Sequence, residues 1–283
     1  MKVDLPLAVP GGALAPVGDL ARAAEDAGID GVYYSEAPSD PLLHLTVAAG
    51  ATAQIDLLTN IVVAFARSPM LLAVQARAIQ DYSQGRLLLG LGSQIKPHIE
   101  RRFSMPWSDP AARMAEYVAA MRAIWHAWET GDKLDFRGEY YTHTLMTAMF
   151  TPPCEYPAPK VLVAGVGVRM TEVAGAVADG FLIHPFSTGK YLRGVTLPAL
   201  QRGRESAGRV LDPQFEVASS MMVISGYTEQ EIAESKARVR QQLAFYGSTP
   251  AYRPVLDMHG WGALGDELNR VSRTRDAGGR WLN

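Results

Sequence analysis

Polar side chains follow a short apolar run near the first third of the chain. Residues 87–91 read LLLGL, and Gly92, Ser93, Gln94 and His98 come after them. An apolar run too short for a helix is typical of a strand buried on both faces of a parallel sheet. In α/β barrels the catalytic groups lie at the carboxyl ends of such strands. Since imidazole can move protons near neutral pH, we expect His98 to act as a general acid.

Two further side chains with acid–base chemistry follow other predicted strands. Glu36 comes after the run 31–35, and His184 ends a later apolar run. Because the ends of parallel strands meet at one edge of a sheet, we expect Glu36, Gln94 and His184 to join His98 as catalytic residues. For each histidine the alternative is a structural side chain with no part in the chemistry.

A glycine pair marks a candidate anion site. Gly165, Val166 and Gly167 end the predicted strand 160–165 and lead into a predicted helix. Free backbone N–H groups and the helix dipole favour an anion at such a helix start. A tight turn that only glycine can make is the alternative.

The elements that must position these residues alternate regularly. Strands are predicted at residues 2–9, 31–35, 56–65, 87–91, 160–165, 180–184 and 215–225. Helices are predicted at residues 17–27, 42–53, 69–83, 111–130, 168–178, 189–208, 228–246 and 260–273. This alternation predicts an α/β fold with a parallel sheet closed into a TIM-type (β/α)8 barrel.

The strand count stops at seven, whereas a barrel of this type has eight strands. Residues 273–280 are polar and glycine-rich, and residues 281–283 are too few for a strand. We therefore expect a barrel that lacks its eighth strand in this chain, with weakened cofactor binding. The gap would be covered by the segment after Gly247 or by a partner subunit.

Composition and charge limit the classes of partner. We expect a single domain spanning residues 1–283, with an insertion at about 131–159 over the barrel mouth. The net charge is −2, and no run approaches the length of a membrane span, so neither nucleic acid nor membrane is expected as a partner. The start lacks the pattern of a signal peptide, which predicts a cytoplasmic protein. Cys154 is the only cysteine, and no metal site is expected.

Four segments together resemble one known family. They are GVYYSEAPSDP at 31–41, LLTNIVVAFARSP at 57–69, RLLLGLGSQ at 86–94 and VLVAGVGVRMTEVAGAVADGFLIHPF at 161–186. This combination resembles the luciferase-like monooxygenase superfamily, and within it the oxidoreductases that depend on coenzyme F420. The resemblance implies a homodimeric TIM-type barrel with the cofactor ring in its mouth. It also implies hydride transfer between the deazaflavin and a small organic substrate.

The resemblance also implies a cofactor-binding set. A bulge with a cis peptide bond at Asn60-Ile61 would press on the back of the ring, and the cofactor's phosphate would sit at the glycine pair. Arg67 would face the acidic tail of the coenzyme. The implied cofactor-binding residues are Asn60, Ile61, Ala64, Arg67, Gly92, Ser93, Gly165, Val166 and Gly167.

The chain departs from the sugar-phosphate dehydrogenases of this branch. Glu36 and Ala37 stand where those enzymes have an Asp-His pair, and Gln94 stands near their catalytic glutamate. Oxidation of a sugar phosphate is therefore not expected. A monooxygenase that uses flavin mononucleotide (FMN) is the first alternative. A cofactor-binding protein without turnover is the second, and it gains weight if Glu36, Gln94, His98 and His184 do not share one pocket.

Overall fold

A parallel sheet runs through the centre of the protein. The computed structural model describes residues 1–209 and 213–273. The strands assigned within them are β1 (Asp4–Pro6), β2 (Gly31–Tyr34), β3 (Asp56–Thr59), β4 (Val62–Val63), β5 (Leu87–Gly92), β6 (Phe136–Arg137), β7 (Thr142–His143), β8 (Lys160–Gly165), β9 (Gly180–Ile183) and β10 (Glu216–Ser219).

Eight of these strands form one parallel sheet in the order β1-β2-β3-β5-β8-β9-β10. β4 is the continuation of β3, because both segments pair with β5. The sheet thus has seven positions, as the seven predicted strands require, and it curls into a half-barrel with helices around it. β6 and β7 form a small antiparallel hairpin in the insertion.

Helices follow the strands along the chain. They are α1 (Val17–Asp26), α2 (Pro41–Ala51), α3 (Pro69–Tyr82), α4 (Pro110–Thr130), α5 (Val168–Val177), α6 (Gly189–Tyr191), α7 (Leu197–Ser206), α8 (Glu229–Gly247), α9 (Arg253–Asp257) and α10 (Gly262–Arg273). Side chains cap two of these helices: the Asp40 side chain accepts from Leu42 N–H, and Thr228 and Glu231 form a capping box. Among the helices described, none combines the length and the apolar character that crossing a membrane requires.

Helix α4 contributes one apolar face to the core. Its apolar side chains recur at three and four residues, so they share one face. All are buried: Met114, Tyr117, Val118, Met121, Ile124, Trp125 and Trp128. The Trp125 indole also donates to the Ala73 carbonyl at 3.2 Å, which ties α4 to α3.

The first and last strands are shorter than predicted. β1 has three residues paired to β2, and β10 has four paired to β9. Each lies at an edge of the described sheet, where only one neighbour is present to extend the ladder. The apolar residues that follow β10 are exposed instead, with Met221 at 82% and Val223 at 67%.

The incomplete barrel is confirmed for the residues described, and residues 274–283 lie outside them. The segment after Gly247 does not take the eighth position, because it contacts the loop after β9. There Thr188 Oγ1 lies 2.8 Å from His259 Nε2, and Lys190 Nζ donates to the Met258 carbonyl at 2.6 Å. Coverage of the gap by a partner subunit stays a prediction.

The helix predicted at 189–208 is interrupted. A π-helical turn, Leu192–Thr196, separates α6 from α7. Pro198 lies in the first turn of α7 rather than at a kink inside one helix. Proline is tolerated at a helix start because the N–H that it lacks has no partner there.

The insertion is fixed to the helices at both of its ends. The Glu116 carboxylate on α4 accepts the N–H groups of Glu139, Tyr140 and Tyr141 at 2.6–2.8 Å. Near the other end, the buried Arg77 guanidinium on α3 donates to the Tyr156 carbonyl. Backbone groups bound in this way leave the insertion little freedom to move as a unit.

Candidate functional site

An ion-paired cluster links the carboxyl ends of two strands. Arg67, which follows β4, contacts Glu36 after β2 and Asp40 at the start of α2, each at 2.8 Å. The Arg67 and Glu36 side chains are only 10% and 7% exposed. These ion pairs and hydrogen bonds raise the pKa of Arg67, although its burial acts in the opposite direction. The Arg67 guanidinium is therefore committed to the protein's own carboxylates.

The same pair holds the backbone of Val63. Glu36 Oε2 accepts the Val63 N–H at 2.7 Å, and Arg67 donates to the Val63 carbonyl at 3.1 Å. Both carboxylate oxygens of Glu36 also accept from Arg67. Glu36 therefore lies at the predicted rim, but its oxygens are occupied by protein donors. Ala64 follows directly, buried in a single 3₁₀ turn.

The Asn60-Ile61 peptide bond is cis, as the resemblance implies. The carbonyl oxygens of Asn60 and Ile61 both accept hydrogen bonds, the first from Ser35 Oγ at 2.6 Å and the second from the Glu36 N–H at 3.0 Å. Gly92, at the end of β5, faces this segment: a Cβ on Gly92 would lie 2.6 Å from the Ile61 side chain. Only glycine lets the two strands approach so closely.

In the loop after β5, two polar residues bind the backbone of the loop and a third is exposed. Gln94 has a positive φ of 57°, and its Oε1 accepts the Ile95 N–H at 3.0 Å, so it shapes the turn. Ser93 Oγ donates to the Gln94 carbonyl at 3.2 Å. His98 begins a π-helical turn with its side chain exposed.

The amino end of α5 has no side-chain cap. Gly167 is the N-cap residue, and a Cβ added to it would meet nothing within 4 Å. The first N–H groups of a helix have no partner within the helix, so they can bind an external acceptor. Arg169, in the first turn, is exposed and pairs with Asp109 at 2.7 Å.

His184 lies beside this helix start. It lines a small cavity together with Gly165, Val166 and Ser187. Its Nδ1 accepts the Phe186 N–H at 3.1 Å. Burial lowers the pKa of His184 to about 4 from its ordinary value of 6.5, so the ring is neutral at physiological pH.

Two tyrosines from the segment around Gly247 enclose the His184 ring, and neither was predicted as a site residue. Tyr252 stacks on it with centroids 4.4 Å apart and an interplanar angle of 22°. Tyr246 meets it edge-on at 4.6 Å. No motif marks these residues, because ring stacking leaves no fixed spacing in the sequence.

A second unpredicted cluster lies where α4 meets the insertion. The Arg113 guanidinium lies 4.5 Å from the centroid of Phe65, and its Nε donates to the Tyr141 hydroxyl at 2.6 Å. The Tyr117 hydroxyl is buried and has no hydrogen-bond partner among the described residues. Burial raises its pKa well above the usual value for tyrosine.

The four predicted catalytic residues are not brought into one cavity. Of these four, only His184 lines the cavity beside Gly165. Glu36 is held in the ion-paired cluster, Gln94 in its turn, and His98 is exposed.

Comparison with known proteins identifies a family and individual proteins that this chain is similar to. The sequence profile of the luciferase-like monooxygenase family matches residues 3–281. An uncharacterized protein of Mycobacterium tuberculosis is 54% identical over 261 residues, covering 92% of this chain and 76% of that protein. An F420-dependent glucose-6-phosphate dehydrogenase of Nakamurella multipartita is 29% identical, covering 93% and 77%.

Solved structures with a similar fold include proteins whose names mention either cofactor. The coenzyme F420-dependent tetrahydromethanopterin reductase of Methanopyrus kandleri aligns with a TM-score of 0.77 at 19% identity, covering 98% of this chain and 80% of that one. The oxygenating component of a diketocamphane monooxygenase from Pseudomonas putida, in complex with FMN, gives 0.68 at 18% identity, covering 91% and 79%.

Proposed function

The chain belongs to the luciferase-like monooxygenase family, and from this premise we propose that it is an oxidoreductase that uses coenzyme F420. The coenzyme would supply the ring carbon that exchanges a hydride with a small organic substrate. The chain's own residues would bind the cofactor, hold its ring and exclude water. The observation that carries this proposal is the open amino end of α5.

The residues around that helix end suit a phosphate group. Gly167 has no side chain, and the space next to its Cα is open. Ser187 lines the adjoining cavity, and its hydroxyl is buried without a partner in the described residues. A phosphate would accept from the free helix N–H groups and from this hydroxyl.

The segment from Asn60 to Ala64 would lie against the cofactor ring. Arg67 and Glu36 bind both backbone groups of Val63, so they fix the position of this segment. This arrangement gives Arg67 a positioning role instead of contact with the acidic tail. Gly92 and Ser93 would form the neighbouring part of the ring site.

In this proposal His98 carries out the proton transfer. Glu36 has its carboxylate oxygens occupied, and His184 is neutral and lacks a proton that it could release near pH 7. His98 is exposed on the long loop between β5 and α4. In this proposal the loop brings it to a substrate in the barrel mouth.

The choice of cofactor can be tested at the helix end itself. We expect the protein to bind oxidised F420 more tightly than FMN in a fluorescence titration. In Gly167→Asp the new carboxylate would cap α5 and repel a phosphate, so affinity should fall by at least about tenfold while the helix becomes more stable. Gly167→Ala adds only a methyl group to open space and serves as the control.

Two alternatives have distinct outcomes in that titration. The cofactor's phosphate would be held in the same way for FMN, so tighter binding of FMN would favour a flavin monooxygenase. Binding without turnover of any substrate would favour a cofactor-binding protein. The separation of Glu36, Gln94 and His98 from the cavity of His184 supports that last alternative.

We also propose that two copies of the chain associate through α2 and α3. Helix α2 contains no charged residue, yet Leu43 and Val47 on it are exposed. Leu71 and Val74 on the adjacent α3 are exposed as well. A helix that is apolar on all sides is normally buried, so we expect a second copy of the chain, related by a two-fold axis, to cover this face.

The cytoplasmic location remains a prediction.

A further inference from the structure

The surroundings of His184 determine which of its nitrogens carries the proton. A backbone N–H can only donate, so Nδ1, which accepts from Phe186, has no proton of its own. In the neutral ring the proton is therefore on Nε2. Nε2 has no hydrogen-bond partner in the described residues and is not among their fully buried polar atoms. The ring, which lines the cavity, thus has one N–H group without a partner among the described residues.

Tyr252 and Tyr246 cover part of the His184 ring. Tyr252 covers one face and is itself buried enough to raise its pKa to about 12, with the nearby Tyr246 hydroxyl also contributing. Tyr246 meets the imidazole edge-on. Tyr191 is the other titratable side chain on the cavity wall. Burial lowers the pKa of His184, and no charged side chain in the described part of the chain contributes to that shift.

We propose that Tyr252 is a positioning residue that holds His184 as an uncharged imidazole, whose Nε2–H donates to an oxygen of the phosphate-bearing cofactor. The inference rests on the proposed function for the identity of that oxygen. It assigns His184 a binding role in place of the acid–base role predicted from the sequence. It also gives the segment after Gly247 a part in the site.

A neutral donor suits this place in the fold. An imidazolium ion would need a carboxylate partner or water once it is enclosed between two aromatic rings. A neutral imidazole needs only hydrogen bonds at its two nitrogens, and Phe186 already supplies one of them. A bound oxygen acceptor would supply the other.

The test begins with ¹⁵N-labelled protein in the absence of cofactor. Long-range ¹H–¹⁵N spectra report which imidazole nitrogen is protonated, and His184→Gln identifies the signals. We expect a protonated Nε2, an unprotonated Nδ1 and a titration midpoint near pH 4 in the wild-type protein. A midpoint near the ordinary value of 6.5, or the opposite tautomer, would overturn the proposal.

Variants of Tyr252 then separate positioning from general stability. Tyr252→Phe keeps the ring and should keep the His184 spectrum. Tyr252→Ala exposes the imidazole, so its midpoint should rise by about one pH unit or more. Tyr227→Ala removes an exposed tyrosine and serves as the matched control. An unchanged midpoint in Tyr252→Ala would also overturn the proposal.

Cofactor titration completes the experiment. Affinity for F420 should fall by about tenfold in Tyr252→Ala and stay near the wild-type value in Tyr252→Phe. Equal affinity in both variants would refute the contact between His184 and the cofactor. If neither F420 nor FMN bound the wild-type protein, the proposed function would fail, whereas the spectra would still decide the role of Tyr252 in holding His184.

Discussion

At the scale of single residues, the polar side chains at the strand ends differ in whether their polar atoms already have partners within the protein. Glu36 and Arg67 form an ion pair with each other, and both hydrogen-bond the Val63 backbone. They therefore stabilise the site without being available for chemistry. His184 keeps one nitrogen free but is neutral, and His98 is exposed. The type of a residue and its place on a strand end therefore do not by themselves determine its role.

The exposed His98 is expected to carry the proton transfer. His98→Ala should lower turnover by about a hundredfold with little change in cofactor affinity, because general acid catalysis acts on the chemical step. Steady-state kinetics with bound cofactor measures both quantities. His126→Ala, an exposed histidine on α4 paired with Asp132, is the control. Unchanged turnover in His98→Ala would assign the proton transfer to another group.

Burial of His184 should make the protein sensitive to acid. The unfolded chain takes up a proton near pH 6.5, whereas the folded protein does so only near pH 4, so stability is lost as pH falls between these values. The two pKa values correspond to at most about 3 kcal/mol. Urea unfolding at a series of pH values measures this loss. In His184→Phe, which keeps an aromatic ring, that part of the pH dependence should disappear.

At the scale of elements, the sequence predicted best where local patterns determine structure. The helices predicted at 111–130 and 228–246 depend on neighbours in the sequence, and both are confirmed as α4 and α8. The lengths of β1 and β10 depend on partners across the sheet and were overestimated. The enclosure of His184 by Tyr246 and Tyr252 depends on tertiary packing alone, so no sequence pattern predicted it.

The anchoring of the insertion by Glu116 is open to a direct test. Glu116→Ala removes the acceptor for three backbone N–H groups and should lower the free energy of unfolding by about 1–3 kcal/mol. Hydrogen exchange at Glu139, Tyr140 and Tyr141 should become faster, since these amides lose their partner. Glu139→Ala, on the same hairpin, is the control. Unchanged exchange would show that other contacts hold the hairpin.

At the scale of the whole molecule, the described chain is a seven-position half-barrel with two open edges. Leu5 on β1 is 43% exposed and Val217 on β10 is 45% exposed. The site nevertheless lies at the ends of inner strands, each of which has a neighbour on both sides. The end of the sheet where we propose cofactor binding is therefore supported by its paired part.

The exposed apolar residues of α2 and α3 lead to a prediction about dimer formation. A double variant, Leu43→Lys with Val74→Lys, places charges on both helices and should convert a dimer to a monomer, because buried unpaired charges are strongly unfavourable. Light scattering after size-exclusion chromatography measures the mass. Met149→Lys changes an exposed apolar residue of the insertion and should leave the dimer intact. A wild-type protein that is already monomeric would contradict the prediction.

The hydrogen bonds from Glu36 and Arg67 to the Val63 backbone have a consequence for laboratory evolution of this protein. Replacing Glu36 alone leaves the nearly buried Arg67 with only Asp40 as a carboxylate partner, and replacing Arg67 alone leaves two carboxylates close together. Functional clones from a library that randomises both positions should therefore carry compatible pairs, either opposite charges or two apolar residues. A change of charge at Glu36 then requires a compensating change at Arg67 in the same step.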